Sequence, residues 1–194
     1  RDTVTISKQG DVDAALDCAV SDPKIKVVKI ATDQAESIEL PEGDFSKCEL
    51  IIEAPKADIS NHAVFKKITI NEIASDTYKE YAEGNEINAN CPIGRIIITD
   101  RAKAVLNVLK DASEISVVVN GELSGIYVSA KDSVVDISGS AEAPIKVKVD
   151  EESEITSSHL LEVQASAKVT FVVYPGAEDS EFYVDNSGLL PKVY

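Results

Sequence analysis

Along much of this chain apolar and polar residues alternate in short bursts. The clearest are Ile68-Thr69-Ile70-Asn71, Ile96-Ile97-Ile98-Thr99, Ile115-Ser116-Val117-Val118-Val119-Asn120, Ile145-Lys146-Val147-Lys148-Val149 and Val169-Thr170-Phe171-Val172-Val173. Successive side chains of a strand point to opposite faces, so a period of two predicts strands with one buried face. The segment 145–149 assigns those faces directly, with Ile and Val inward and Lys146 and Lys148 in water. The first residues of these five segments lie 28, 19, 30 and 24 positions apart. That is the scale of one turn of a solenoid, whose coils bury their apolar faces only by stacking on neighbours.

Further strands are predicted almost without interruption. They cover 26–30, 36–40, 49–53, 67–71, 95–99, 104–108, 114–120, 126–129, 133–137, 145–149, 160–164, 168–174 and 182–184. Val28, Ile30, Ile38, Leu40, Leu50, Ile52, Ile68, Ile70, Val135 and Ile137 are their inward residues. The gaps hold Gly, Pro, Asn, Asp or Ser, which punctuate turns. With two or three strands per coil and about 4.8 Å per rung, some seven coils would make a rod of roughly 35 Å.

Residues 11–20 carry the one convincing helical pattern. Val12, Leu16 and Val20 recur at i, i+4 and i+8 beside Ala15 and Ala19, Asp11 or Asp13 can cap the start, and Ser21-Asp22-Pro23 stops it. A short amphipathic helix there covers the apolar end rung and the strand edges of a solenoid. The fold expected is therefore an all-β, right-handed parallel β-helix in one domain. Its parts are an N-terminal cap over 1–25, coils over 26–174 and a C-terminal cap over 175–194. Phe182, Tyr183, Leu189, Leu190 and Tyr194 suit a closing strand or two folded across the last rung. A β-sandwich is the rival, but it usually builds its core around Trp or other aromatics, and this chain has no Trp and only 5% aromatic residues.

Charge narrows the partners. Net charge is −15, and Arg1, Arg95 and Arg101 are the arginines, which disfavours nucleic acid and anionic lipid. No apolar run approaches the roughly 18 residues of a membrane span. A chain that opens Arg1-Asp2-Thr3 and contains no Met reads as a product whose leader has been removed. Cys18, Cys48 and Cys91 lack metal-type spacing; they read as small buried apolar residues, with a Cys18–Cys48 bridge as the alternative.

The stretch from Phe65 to Asn85, together with Val117-Val118-Val119-Asn120-Gly121 and Val135-Asp136-Ile137-Ser138-Gly139, resembles the secreted right-handed parallel β-helix segments of Gram-positive anaerobe surface proteins. The resemblance spans roughly residues 45–185 and rests on pattern. It implies a pectin-lyase-like fold and an extracellular or cell-surface setting, without an assigned activity.

Enzymes on such folds use clustered carboxylates, because acid and base must flank one glycosidic bond. Here the acids are scattered: Asp100-Arg101 is the one Asp–Arg doublet at a strand end, and Asp136 and Asp150 have no basic neighbour. The groups Asp150-Glu151-Glu152 with Glu154, and Glu178-Asp179 with Glu181, lack the Gly-spaced pattern of calcium loops. Ser157-Ser158-His159 is an adjacency rather than a triad. No catalytic residue, metal or cofactor is expected. The remaining candidate is the long insertion 72–94, where Tyr78, Tyr81, Asn85 and Asn88 suit stacking and hydrogen bonding to a sugar. The alternative is that these tyrosines pack against the rod. The expected function is a non-catalytic extracellular module, a spacer, adhesin or glycan-binding segment of a larger protein. Its expected partner is a cell-surface glycan or another surface protein. A carbohydrate-active β-helix enzyme is the runner-up.

Overall fold

A computed structural model describes residues 2–75, 77–185 and 192–194. Its strands, numbered in chain order, are all paired in parallel and stack in two columns. One column holds β1 (Thr3–Ile6), β2 (Val27–Ala31), the second halves of β3 (Ser37–Ala54) and β4 (Asp58–Ile73), β6 (Glu83–Ala89) and β8 (Lys103–Val108). It continues through β10 (Glu122–Val128), β12 (Ile145–Val149), β14 (Leu161–Ala165) and β16 (Glu181–Val184). The other holds the first halves of β3 and β4, then β5 (Tyr78–Glu80), β7 (Ile93–Ile98), β9 (Glu114–Val119) and β11 (Ser133–Ser138). It ends with β13 (Ser153–Ser157), β15 (Val169–Val173) and β17 (Lys192–Val193). The chain is thus a parallel β-solenoid of about 9 turns, a rod of about 43 Å at the usual strand spacing of about 4.8 Å.

The stack forms because each coil returns an aliphatic residue to the same inward position. Val28, Leu50, Ile68, Ile87, Leu106, Ile126, Val147 and Val163 are consecutive register partners, and all are buried. β-Branched side chains suit this surface, since their stiff rotamers pack on copies of themselves one rung away. Register slips between Leu40 and Gly43 and between Phe45 and Glu49 mark corners around a short third side. There the Phe45 and Phe65 rings stack at 5.6 Å. The strand-then-Gly endings at Gly121 and Gly139 mark corners too. Gly139 has φ +123°, and a Cβ on it would run into the main chain of Val119, so glycine is the residue that permits this approach.

The helix α1 (Val12–Ser21) packs against β1, β2 and β3. Val12, Ala15 and Leu16 are buried, whereas Val20 is 69% exposed, so the apolar stripe covers the rod only along its first two turns. Ahead of the helix, β1 already pairs with β2. At the other end, β16 and β17 do not fold across the last rung. They extend both columns in parallel, with Phe182 edge-on to Phe171 at 4.7 Å. Leu189 and Leu190 lie outside the described residues.

Strands also occupy two stretches where none was predicted, one between the strands at 49–53 and 67–71 and the other the insertion 72–94. Residues 58–65 form the first half of β4, and 72–94 hold the end of β4, β5, β6 and the start of β7. Polar residues at inward positions hide the alternation there. All three cysteines are free; Cys48 is buried, its Sγ 3.5 Å from the Ile25 carbonyl. Among the described residues no helix is long and apolar enough to cross a membrane.

Candidate functional site

The four residues expected to bind a ligand separate into different places. Tyr78 and Asn85 are inside the rod, at 0% and 2% exposure. They surround Glu80, which is also 0% exposed and follows Leu40 and Asn61 in one inward column. Asn61 and Asn85 each donate from Nδ2 to Glu80 Oε1, at 3.0 and 3.1 Å, and to the Ala63 carbonyl, at 2.8 and 2.9 Å. The Tyr78 hydroxyl donates to Glu80 Oε2 at 2.7 Å and the Ala82 amide to Oε1 at 3.1 Å. The two asparagine oxygens accept the Ala63 and Phe65 amides, both at 3.0 Å. This plug satisfies the main chain where the coil turns its corner, the task that falls to polar side chains when a turn is buried. Burial pushes the Glu80 carboxyl up to about 7, against the pull of the groups that donate to it. The same burial, with the Glu80 charge beside it, raises the Tyr78 phenol well above its usual range. An aromatic and an amide enclosed in this way cannot meet a ligand.

Tyr81 stands outside, stacked on His62 at 4.2 Å, with His62 Nε2 2.9 Å from Glu39 Oε1. Tyr81 is 37% exposed and Tyr78 is fully enclosed, so the two tyrosines form no joint surface. Asn88 is on the outer face of β6, where Asn107 Nδ2 donates to its Oδ1 at 2.8 Å and to Glu86 Oε1 at 2.9 Å.

Asn88 leads to a surface that lies mostly outside the insertion. Its register partner on the next coil is Asn107, followed by Tyr127, Lys148, Gln164 and Tyr183. These side chains form a single outward line along the rod. Tyr127 and Tyr183 are 40% and 58% exposed, large apolar surface for a solvent-facing sheet. A Cβ placed on Gly125 would lie 2.9 Å from Tyr127 Cε2 and 3.3 Å from its hydroxyl, so the ring covers the glycine, as aromatics do over a bare stretch of strand. Tyr183 leans the same way along its own strand, its hydroxyl donating to Glu181 Oε2 at 2.6 Å. Between the rings is a shallow hollow of about 460 Å³, edged by Lys146, Lys148, Glu162 and Gln164. Lys146 is the register partner of Glu162, and Glu162 of Glu181. The signal in the sequence was an aromatic at the outward position of an alternating strand, in Ile126-Tyr127-Val128 and Phe182-Tyr183-Val184.

The carboxylates are otherwise dispersed. Asp100, Glu122 and Glu142 edge a separate hollow of about 480 Å³, where Glu122 is 3.8 Å from Lys103 Nζ. Among the described residues no group of three or more His, Cys, Asp or Glu side chains is placed to share a metal ion. Ser157 Oγ donates to the main-chain oxygen of His159, at 2.7 Å, and the two ring nitrogens of His159 face the carbonyls of Leu160 and Ala141. The hydroxyl and the imidazole therefore do not work on each other, which a nucleophile and its base must do.

Compared with protein-family models, with curated proteins and with solved structures, the chain finds no match in any of the three.

Proposed function

We propose that this protein is a non-catalytic module of an extracellular or cell-surface protein, a stiff spacer that presents a glycan-binding face. The observation that carries this reading is the pair of exposed tyrosines, Tyr127 and Tyr183, aligned on the outer face of one sheet with Lys148 and Gln164 between them. Sugar rings have an apolar face rimmed by hydroxyls. An exposed tyrosine ring receives the face, and neighbouring Lys, Gln and Glu side chains satisfy the rim. The strand pattern that resembles secreted pectin-lyase-like segments supports the extracellular setting, and the charge of −15 supports a module kept apart from its neighbours by repulsion.

Retention on insoluble polysaccharides tests the reading. The protein should be held by at least one cell-wall preparation, and Tyr127→Ala should weaken retention at least tenfold with the urea midpoint preserved. A wild-type protein that passes through every preparation would refute it. Protease shaving of intact cells tests the setting, since a surface module is cut without lysis.

A second reading, a carbohydrate-active enzyme, is favoured by the hollow edged by Asp100, Glu122 and Glu142, because acid and base roles need paired carboxylates. Release of soluble sugar from those preparations, abolished by Asp100→Asn or Glu142→Gln, would support it over the first.

A further inference from the structure

We infer that the ligand of the tyrosine face is an extended glycan lying parallel to the rod axis, across four consecutive coils, with about one sugar over each. The inference rests on the glycan-binding reading and adds orientation, length and subsite order.

The register decides the direction. Tyr127, Lys148, Gln164 and Tyr183 are successive outward partners on β10, β12, β14 and β16, so the line joining the two rings crosses the strands at right angles. A chain laid along a strand would meet one tyrosine and leave the other unused. One laid along the axis passes over both. Three rung steps separate the rings, about 14 Å at about 4.8 Å each. An extended pyranose chain advances about one rung per residue, which places a sugar on each ring and two between them. The middle positions carry Lys148 and Gln164, both exposed. Between them they supply donors and an amide acceptor for hydroxyl rims.

The rings are oriented for this path. Both lean back along their own strands, Tyr127 over Gly125 and Tyr183 toward Glu181, and so lie on the same side of the line. Gly125 is what lets the first ring approach the strand this closely, since a Cβ there would come within 2.9 Å of it. Lys148 forms no ion pair within 4.0 Å among the described residues, and its ammonium is available to a ligand. Beyond Tyr127 the line continues into Asn107 and Asn88, already hydrogen-bonded to each other, and these are a polar margin rather than a further stacking position.

The test is a ladder of oligosaccharides, one to six residues long, of β-1,4-linked glucose, β-1,4-linked N-acetylglucosamine and α-1,4-linked galacturonate, titrated against the whole protein by calorimetry. For any series that binds, affinity should climb to about four residues and then level off. Tyr127→Ala and Tyr183→Ala should each weaken the tetramer at least tenfold. Lys148→Gln should weaken it less, and all three variants should keep the wild-type circular dichroism spectrum and urea midpoint. Affinity that is already flat at two residues overturns the axial placement and leaves the glycan reading standing. So does a loss confined to one tyrosine variant. If none of the three series binds the folded protein and no cell-wall preparation retains it, both fail together.

Discussion

Glu80 is a carboxylate enclosed in an aliphatic stack, and its surroundings define its preferred form. Every polar group turned toward it is a donor: the Tyr78 hydroxyl, the Asn61 and Asn85 amides and the Ala82 main-chain N–H. No cation pairs with it among the described residues, and burial lifts its pKa from 4.5 to about 7. The linkage has a definite sign. Below about pH 4.5 the group is protonated in both states, and above about 7 it is ionised in both. Between those values the unfolded chain releases its proton first, so this residue's contribution to stability falls as pH rises. Glu80→Gln retains the shape and removes the titration. Its urea-derived stability relative to the parent should therefore rise by on the order of 3 kcal/mol from pH 4.5 to 7.5. A pH-independent difference between the two proteins would show that Glu80 does not titrate in this range. Tyr78 and Asn85 looked like ligand-binding residues for the same reason that they build this plug. Their chemistry is equally suited to a sugar and to a buried carboxylate, and only burial distinguishes the two uses.

At the scale of elements, the helix α1 offers two positions of one predicted stripe with opposite fates. Leu16 is 4% exposed and Val20 is 69% exposed. Leu16→Asp should lower stability by several kcal/mol, combining the loss of a core side chain with an enclosed charge. Val20→Asp, on the same helix, should stay within about 0.5 kcal/mol of the parent. Chemical denaturation of the pair checks it; equal effects would mean that the helix is not seated on the first coil as described. The strands divide in the same way. Those with pure aliphatic inward faces, such as Ile145–Val149 and Glu114–Val119, were legible from alternation alone. β5 was not, because its inward residues are Tyr78 and Glu80. Nor was the first half of β4, because inward Asn61 and small Ala63 interrupt the pattern. A period-two rule detects hydrophobicity, and here the inward column changes chemistry without changing geometry.

For the whole molecule, 34 acidic residues against 19 basic ones raise the question of a divalent cation. The acids are spread over coil surfaces and corners, with no group placed to share a metal among the described residues. Removing divalent ions with a chelator should leave Tm unchanged to within about a degree, whereas a ligand that binds only the native state would raise it in proportion to its occupancy. A rise of several degrees on adding calcium would reveal a site. The alternation of the chain by itself determined that these residues form strands, which faces turn inward and that the strands must stack, because each of those properties is local or follows from burying one face. It did not determine which outward residues become neighbours. Register offsets run from 16 residues, Val147 to Val163, to 24, Thr3 to Val27, so the partner of a given side chain cannot be found by adding a constant. Tyr127 and Tyr183 are 56 positions apart in the chain and share one line only after three coils of unequal length have closed. That alignment was decided by the tertiary structure, through the packing of each inward side chain on the rung beneath it.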